Sequence, residues 1–445
     1  MLSTGPAGSA LRLTSEQASG LPELWAGDVA VAGGGSAGSA AALAAARDGA
    51  SVLLVEGGGF FGGTAVAVLD TMYGFFPPGD QVRVVGGIAW EIASSMLRAD
   101  QAMLRENSYG AGTGVTYEPE ALKRAWDTRL SESGVRVLLH SLVTGVIMAG
   151  QRVAGLVVQT RSGPYRVSAR CFVDATGDAV LAWAAGCTLE RPSAERRVQP
   201  LTTTFRVGGV GAPPTAAELR ALMAEAAETG LFELPRREGS AHRTMLPGVF
   251  HTNMTRVSGV DPTDPWALSA AEIEGRSQAA EYMRFLRLRV PGYESSYLLA
   301  TSTWIGTRES RRLVGRHVLT REDVLGARQF DDAVALCGAP VEDHDGGTGT
   351  IWQYVGDADT PTGQTYGVPY RCLLPIEVDG LLVAGRCLSA THDAHASARS
   401  IAQCLAYGEA AGTAAALSLS GPPGELRALD TERLRARLAD NGVIL

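Results

Sequence analysis

A chain of 445 residues, 45% hydrophobic and 19% charged, is long enough for one large domain or two to three ordinary ones around a sizeable core. Its net charge of −8 argues against a general nucleic-acid or anionic-membrane binder, and its 54 glycines, without a three-residue period or a low-complexity tract, exclude collagen-like and disordered chains. Cys171, Cys187, Cys337, Cys372, Cys387 and Cys404 form no C-x-x-C pair and the histidines do not cluster, so neither a disulfide framework nor a metal site is expected, and the expected compartment is a reducing cytoplasm.

Residues 1–27 lack both a basic start and an uninterrupted apolar run, so they read as a mobile tail rather than a signal peptide. The most apolar long stretch, residues 29–46, is broken by Gly33, Gly34, Gly35 and Gly38 and is built from small side chains, unlike a membrane span of roughly 20 residues. A soluble protein is expected. Within that stretch an apolar strand (28–32) ends in GGGSAG and passes into an alanine-rich helix (36–48). Gly49 stops the helix, and SVLLV (51–55) has the length and composition of a buried parallel strand ending at Glu56. The chain therefore opens with a βαβ unit of dinucleotide-binding type.

Residues 118–133 carry helical periodicity. VRVLLH, LVTGVIMAG, RVAGLVVQT and YRVSARCFVDAT follow, separated by turn residues at Ser141, Gly150 and 161–163, which predicts one more parallel strand and then an antiparallel meander. After residues 192–200 the pattern changes: TTTFRVGGV reads as a strand, 215–229 as a helix, and irregular, proline-containing sequence continues to about 370. LLVAG (381–385) is again a buried strand, and 398–417 a small-residue helix. The expected fold class is α/β, a Rossmann-like domain with a parallel sheet and a β-meander, interrupted by an α+β substrate domain. The boundaries read as a tail (1–27), a first part (28–195), the inserted domain (196–370), a second part (371–420) and a C-terminal helical tail (421–445).

Gly33, Gly35 and Gly38 form G-x-G-x-x-G in the context that gives it meaning. The first glycine allows the tight turn, the second lets backbone approach a pyrophosphate, the third lets helix and strand pack, and the helix start at Ser36 and Ala37 offers free N–H groups. Glu56, at the end of the second strand, is placed to accept from ribose hydroxyls.

The segment GGGFFGGT (57–64) resembles the Gly-Gly-Thr/Ser stretch of flavoproteins of the glutathione-reductase and fumarate-reductase superfamily. CFVDATGD (171–178) and GLLVAGR (380–386) resemble their second and third flavin segments. WIGTRESRRLVGRHVLTREDVL (304–325), VEDHDGG (341–347) and GRCLSATHDAHAS (385–397) extend the likeness to a family of bacterial FAD-dependent oxidoreductases related to fumarate reductase flavoproteins, over 28 to about 419. The resemblance implies FAD, with contacts at Gly33, Gly35, Ser36, Ala37, Gly38, Glu56, Gly57, Gly62, Gly63, Thr64, Val143, Ala175, Thr176, Gly177, Asp178, Gly385 and Arg386. It also implies that the helix behind the third segment points its N-terminus at the flavin.

The sequence has no second strand-G-x-G-x-x-G-helix unit for a pyridine nucleotide and no redox C-x4-C. Flavin reduction is therefore expected from an organic substrate, with electrons leaving to oxygen or a separate carrier. The reading is a dehydrogenase or oxidase of a small polar metabolite, by hydride transfer to flavin N5. The alternatives are a fumarate-reductase-like or hydroxylating enzyme using external electrons, or a non-catalytic FAD-containing binding protein.

For the group that removes the substrate's second proton, histidine suits neutral pH. The resemblance puts His392 where fumarate reductases carry a substrate-binding histidine, with His395 beside it and Arg399 as the following arginine. His344, between Asp343 and Asp345, reads as an imidazolium favoured by two carboxylates or as a solvated turn. Arg308 and Arg312 in TRESRR share a face if the segment is helical, and so suit a carboxylate or phosphate; the alternative is an internal network with Glu309, Glu322 or Asp323. Cys387 reads as a buried small residue rather than a reactive thiol.

Overall fold

The computed structural model describes residues 3–4, 11–107, 110–192, 198–344, 350–421 and 425–445. Asp345 and the glycines at 346–349 lie outside the described residues. The main sheet has eight strands. Leu11–Thr14, Leu142–Ala149, Arg152–Thr160, Gly163–Asp174, Glu23–Ala32, Val52–Val55 and Arg136–Leu138 lie side by side in that order, and Leu381–Val383 joins Gly163–Asp174. Gly163–Asp174 joins the antiparallel and parallel halves of this sheet. Its first half pairs antiparallel with Arg152–Thr160, while its second half runs parallel to both Glu23–Ala32 and Leu381–Val383. The expected parallel strand and meander are both present.

Val29–Ala32 and Val52–Val55 are apolar without a break because both faces of the sheet are covered. Alternate side chains divide between two cores: Val29, Val31, Val52, Leu54 and Val173 on one face, Ala30, Ala32, Leu53, Val55 and Phe172 on the other. Helices Ser36–Arg47 and Ile401–Leu417 cover the first face. They cross closely because a β-carbon at Gly408 would stand 2.0 Å from Ala37 O, and one at Gly412 would stand 2.1 Å from Ala41 O.

The inserted unit has its own four-stranded antiparallel sheet, in the order Ser240–Arg243, Phe250–Asn253, Phe205–Gly208, Tyr297–Thr301. Helices Ala216–Glu228 and Pro265–Arg289 close it over a separate core that includes Phe205, Met223, Tyr282, Phe285 and Leu286. The first helix starts on a capping box in which Thr215 and Glu218 satisfy each other's backbone N–H groups.

Three boundaries differ from the sequence reading. Leu11–Thr14, expected in a mobile tail, pairs parallel with Leu142–Ala149, and Ala18 is buried behind it. Residues from Leu319 to Tyr370, expected in the inserted domain, pack in the large first core, so the inserted unit's own core ends near Tyr293. The C-terminal helix Thr431–Asp440 buries Leu434 and Leu438 in the same large core. Among the described residues no helix is long and apolar enough to cross a membrane.

Candidate functional site

The parallel strands end together at Ala32, Val55, Leu138, Asp174 and Val383, the edge where open α/β sheets bind ligands. There Gly33 turns at φ +91°, and a β-carbon on it would meet Ala175 O at 2.5 Å. Gly38 lies under the turn, where a β-carbon would fall 1.7 Å from Gly33 O. The 57–64 segment folds back onto this turn: Gly62 N donates to Gly34 O at 2.8 Å, and Gly63 at φ +53° sits against Gly35. Glu56 ties the two glycine segments together, since Oε2 accepts from Gly34 N and Oε1 from Gly58 N, both at 2.6 Å. Each oxygen keeps a lone pair for a further donor.

Arg386 binds the third segment to the second. Its Nε donates to Gly177 O at 3.0 Å and its second terminal nitrogen to Asp178 Oδ1 at 2.8 Å, while the first reaches Thr307 O in the inserted unit. A cavity of about 500 Å³ runs from this glycine cradle to the inserted sheet. Gly33, Gly35, Ser36, Ala37, Glu56, Gly63, Thr64, Ala175, Thr176, Gly177, Asp178, Gly385 and Arg386 line it. Gly38, Gly57, Gly62 and Val143 do not: Gly38 and Gly62 shape the turn beneath, Gly57 packs on Leu142, and Val143 is half-buried on the meander.

From the inserted unit and its flanks the cavity is also lined by Thr202, Ser240, His242, His251, Asn253, Arg308, Glu342, His344 and Arg399, with Asp70, Thr71 and Tyr73 beside them and Trp304 nearer the glycine segments. The Trp304 ring stacks on Phe60 at 5.4 Å and 7°, fastening the insert to the second glycine segment. Helix Ile401–Leu417 begins at the cavity, where Ile401 and Cys404 line the wall.

The two expected histidines of the third segment are not on the cavity wall. His392 Nδ1 is 2.9 Å from the buried Glu309 carboxylate, and its Nε2 is 3.6 Å from Asp343 Oδ1. His395 is fully buried behind the wall and donates from Nε2 to Arg386 O at 2.8 Å, so it positions the third segment. Burial, and then Arg312 and Arg399, hold its imidazole neutral.

The arginine pair separates. Residues 308–311 are not helical. Arg312 belongs to the internal network, paired with Glu309 and Glu190 and donating to Ala390 O at 2.9 Å, whereas Arg308 enters the cavity and donates to Pro200 O at 2.6 Å. Burial, followed by Arg236 and Arg399, lowers the Arg308 pKa well below that of an ordinary guanidinium. Arg399 lies in the same cavity, donating to Gln199 Oε1 at 2.9 Å and Glu342 O at 3.3 Å, with Nε unpartnered.

His344 also reaches the cavity, 2.8 Å from Thr350 Oγ1 and 3.1 Å from Glu342 Oε1. Both readings of it are corrected, since it is buried rather than in a solvated turn and is not positively charged. Burial, and then the Arg308 charge, outweigh Glu342 and push it down to about 3, so it is neutral. Cys387 is buried, and desolvation, then Asp174, raises its thiol far above reactivity.

Asp70, His242 and His251 carried no motif. A partial signal was present: Pro247-Gly248 is a turn dipeptide that marks a hairpin with His242 and His251 on its two strands, although the observed register, which pairs them, is centred one residue earlier. A second hollow, of about 550 Å³, is lined by Arg316, Arg328, Arg371 and Arg427. The last three are paired with Asp323, Asp332 and Asp379, and none of the glycine segments reaches it.

A glycine cradle at the carboxyl edge of a parallel sheet, continuous with a polar cavity under an inserted domain, defines a dinucleotide-dependent enzyme. Residues 28–438 match the family described as FAD dependent oxidoreductase, and the chain belongs to it. FAD is its cofactor, and the cradle fits the group: the backbone closes to where glycine alone has room, helix Ser36–Arg47 starts at the turn, and Glu56 stands at the adjoining strand end. No curated protein matches the chain. Solved structures similar to it include a geranylgeranyl bacteriochlorophyll reductase-like protein from Thermoplasma acidophilum (14% identity over 94% of this chain and 84% of that one, TM-score 0.46). Two others are the myxobacterial chondrochloren halogenase CndH (14%, 94% and 78%, 0.49) and p-nitrophenol 4-monooxygenase PnpA from Pseudomonas putida DLL-E4 (11%, 94% and 84%, 0.46).

Proposed function

We propose that this oxidoreductase oxidises a small metabolite bearing a carboxylate, with the anionic end held by Arg308 and Arg399. One observation carries the reading: two half-buried guanidiniums project into the cavity that begins at the FAD cradle, their hydrogen bonds there go to neutral oxygens, and the nearby Glu342 carboxylate is one charge against two. Burial disfavours both charges, and an anionic ligand offsets that penalty through charge-assisted hydrogen bonds.

Bound FAD supplies a two-electron acceptor for the substrate's hydride. The chain's own part is to hold and orient. Gly33, Gly35 and the N–H groups at Ser36 and Ala37 would hold the pyrophosphate, Glu56 the ribose, and Thr64, Gly385 and Arg386 the ring end. The N-terminus of helix Ile401–Leu417 favours negative charge on that side of the cavity. Trp304 and Arg386 keep the inserted unit closed over the site and limit water. Oxygen or a separate carrier takes the electrons onward, since no second nucleotide unit is present in the sequence.

The test is anaerobic. The flavin should bleach with small hydroxy or amino acids, and Arg308→Gln or Arg399→Gln should each raise the half-saturating concentration about 10-fold or more. A flavin that dithionite or a reductase partner bleaches, but no carboxylate substrate does, would turn the reading towards a reductive or hydroxylating enzyme fed by external electrons. That is the finer kinship with fumarate reductase flavoproteins.

A further inference from the structure

Strands Ser240–Arg243 and Phe250–Asn253 pair with His242 opposite His251 and Ser240 opposite Asn253. Side chains alternate along a strand, so these four share one face of the ladder, and all four line the cavity. Asp70 comes from the FAD-binding side to meet them and is only 1% exposed. Its Oδ1 lies 2.8 Å from His242 Nε2 and 3.2 Å from Thr71 Oγ1, while its Oδ2 lies 3.8 Å from His251 Nδ1. The two imidazole rings are 5.3 Å apart.

Asp70 Oδ2 makes no hydrogen bond, and neither ring nitrogen of the buried His251 makes one. Buried polar atoms are almost always satisfied, so an imidazole on a cavity wall with both nitrogens free marks a place where a ligand donor or acceptor belongs. Asn253, one pleat along the strand at about 7 Å, accepts from Arg236 at 2.9 Å, so the ladder runs from the imidazoles towards the arginine end of the cavity.

We infer that His251 is the catalytic base of this site, with Asp70 as its positioning residue and the substrate's O–H or N–H as the proton donor. This rests on the oxidative reading above. The C–H bond of the substrate breaks with its electron pair, for which FAD, when bound, would be the two-electron hydride acceptor. The O–H or N–H bond breaks with its proton going to His251 Nε2, and the electron pair left behind becomes the second bond of C=O or C=N. Two electrons and two hydrogens leave the substrate, and His251 returns its proton to solvent after product departs.

The charges around His251 keep it unprotonated and so able to accept. Asp70 and His242 face it across the cavity wall, Arg206 is its cross-strand neighbour on Phe205–Gly208, and Arg105 approaches from strand Ala102–Glu106. Burial dominates, and His242, Arg206 and Arg105 add to it against the pull of Asp70, leaving the imidazole neutral with its midpoint at about 4. Nδ1–H towards Asp70 leaves Nε2 with a free lone pair.

The experiment uses the FAD-loaded protein and any acid that bleaches its flavin. His251→Gln should slow anaerobic flavin reduction about 100-fold while the substrate's half-saturating concentration stays within about threefold. Asp70→Asn should slow it about 10-fold with His251 in place. NMR of ¹³C-histidine-labelled protein adds a readout independent of turnover: Asp70→Asn should move the His251 midpoint to lower pH. Wild-type bleaching that His251→Gln leaves unchanged, or a His251 midpoint that Asp70→Asn does not move, overturns the inference alone. A wild-type flavin that no acid bleaches overturns the oxidative reading and this inference with it.

Discussion

The carboxylate of Glu309, 1% exposed, lies 2.9 Å from His392 Nδ1 and is shared with Arg312, three residues along the chain. It also accepts from Gln199 N at 3.1 Å, so one buried anion organises a cation, an imidazole and a backbone donor. His392 therefore belongs to a support beneath the cavity. His392→Gln should leave the flavin-reduction rate within about threefold of wild type, whereas Glu309→Ala should cost about 3 kcal/mol or more in urea unfolding, because it removes a buried carboxylate paired with buried Arg312. A large rate loss in His392→Gln with unchanged stability would return that histidine to the reaction.

Gly408 and Gly20 make a controlled pair. Alanine at 408 puts its β-carbon 2.0 Å from Ala37 O, in a helix whose residues line the cofactor cavity, while alanine at 20 meets nothing within 4 Å. Gly408→Ala should lower stability by about 1–3 kcal/mol and release FAD during gel filtration, and Gly20→Ala should do neither. Equal behaviour of the two variants by calorimetry would show that the helices yield without effect on the cradle.

Glu409 makes stability fall as pH rises towards 7. It is buried at the start of helix Gly87–Arg98, accepts from Ile88 N at 2.8 Å, and desolvation raises its pKa to about 7. A carboxyl raised in the folded state contributes stability that is fully present below its unfolded value near 4.5 and is lost as pH rises through 7. Glu409→Gln should flatten the fall in melting temperature between about pH 4.5 and 7. An unchanged slope would show that the carboxyl ionises freely.

On the acid side the sign reverses. Burial depresses the histidines: His251 to about 4 and His344 to about 3, against 6.5 when unfolded. The folded state binds fewer protons there, so stability is present above pH 6.5 and is lost as pH falls through those folded values. Glu342, held at about 2 despite burial by His344, Arg399 and Arg308, extends the loss from 4.5 downward. His344→Gln should make the melting temperature less sensitive between pH 6 and 4. A steeper fall in that variant would mean that His344 is charged in the folded protein.

The flavin half of the molecule was legible because its chemistry is written locally. Glycines at 33, 35, 38 and 63 stand where backbone touches backbone, and the alternation of Val29 to Ala32 between two cores requires a strand covered on both faces. The reacting half was not legible, because it is assembled across distance. His251 meets Asp70 across 181 residues of chain, and Arg308 joins Arg399 by a path that runs through a different core. Spacing suggested a helix for 308–312 where tertiary pairing made Arg312 a buried counter-ion and turned Arg308 alone into the cavity. His344 was misjudged for a related reason: its sequence neighbours are acidic, but desolvation and a distant arginine decide its charge.

Helix Ile401–Leu417 lies against Ser36–Arg47, and Leu381–Val383 completes the sheet beside Gly163–Asp174. During synthesis the glycine turn emerges hundreds of residues before the elements that press on it. The first βαβ unit must therefore remain unfinished on the ribosome while the inserted sheet, with its own core, is free to fold as a unit. Contacts of such sequence separation make closure slow. Cofactor capture becomes a late event, coupled to emergence of helix Ile401–Leu417, and a protein truncated before Leu417 would lose its hold on FAD even with every residue of the glycine motif intact.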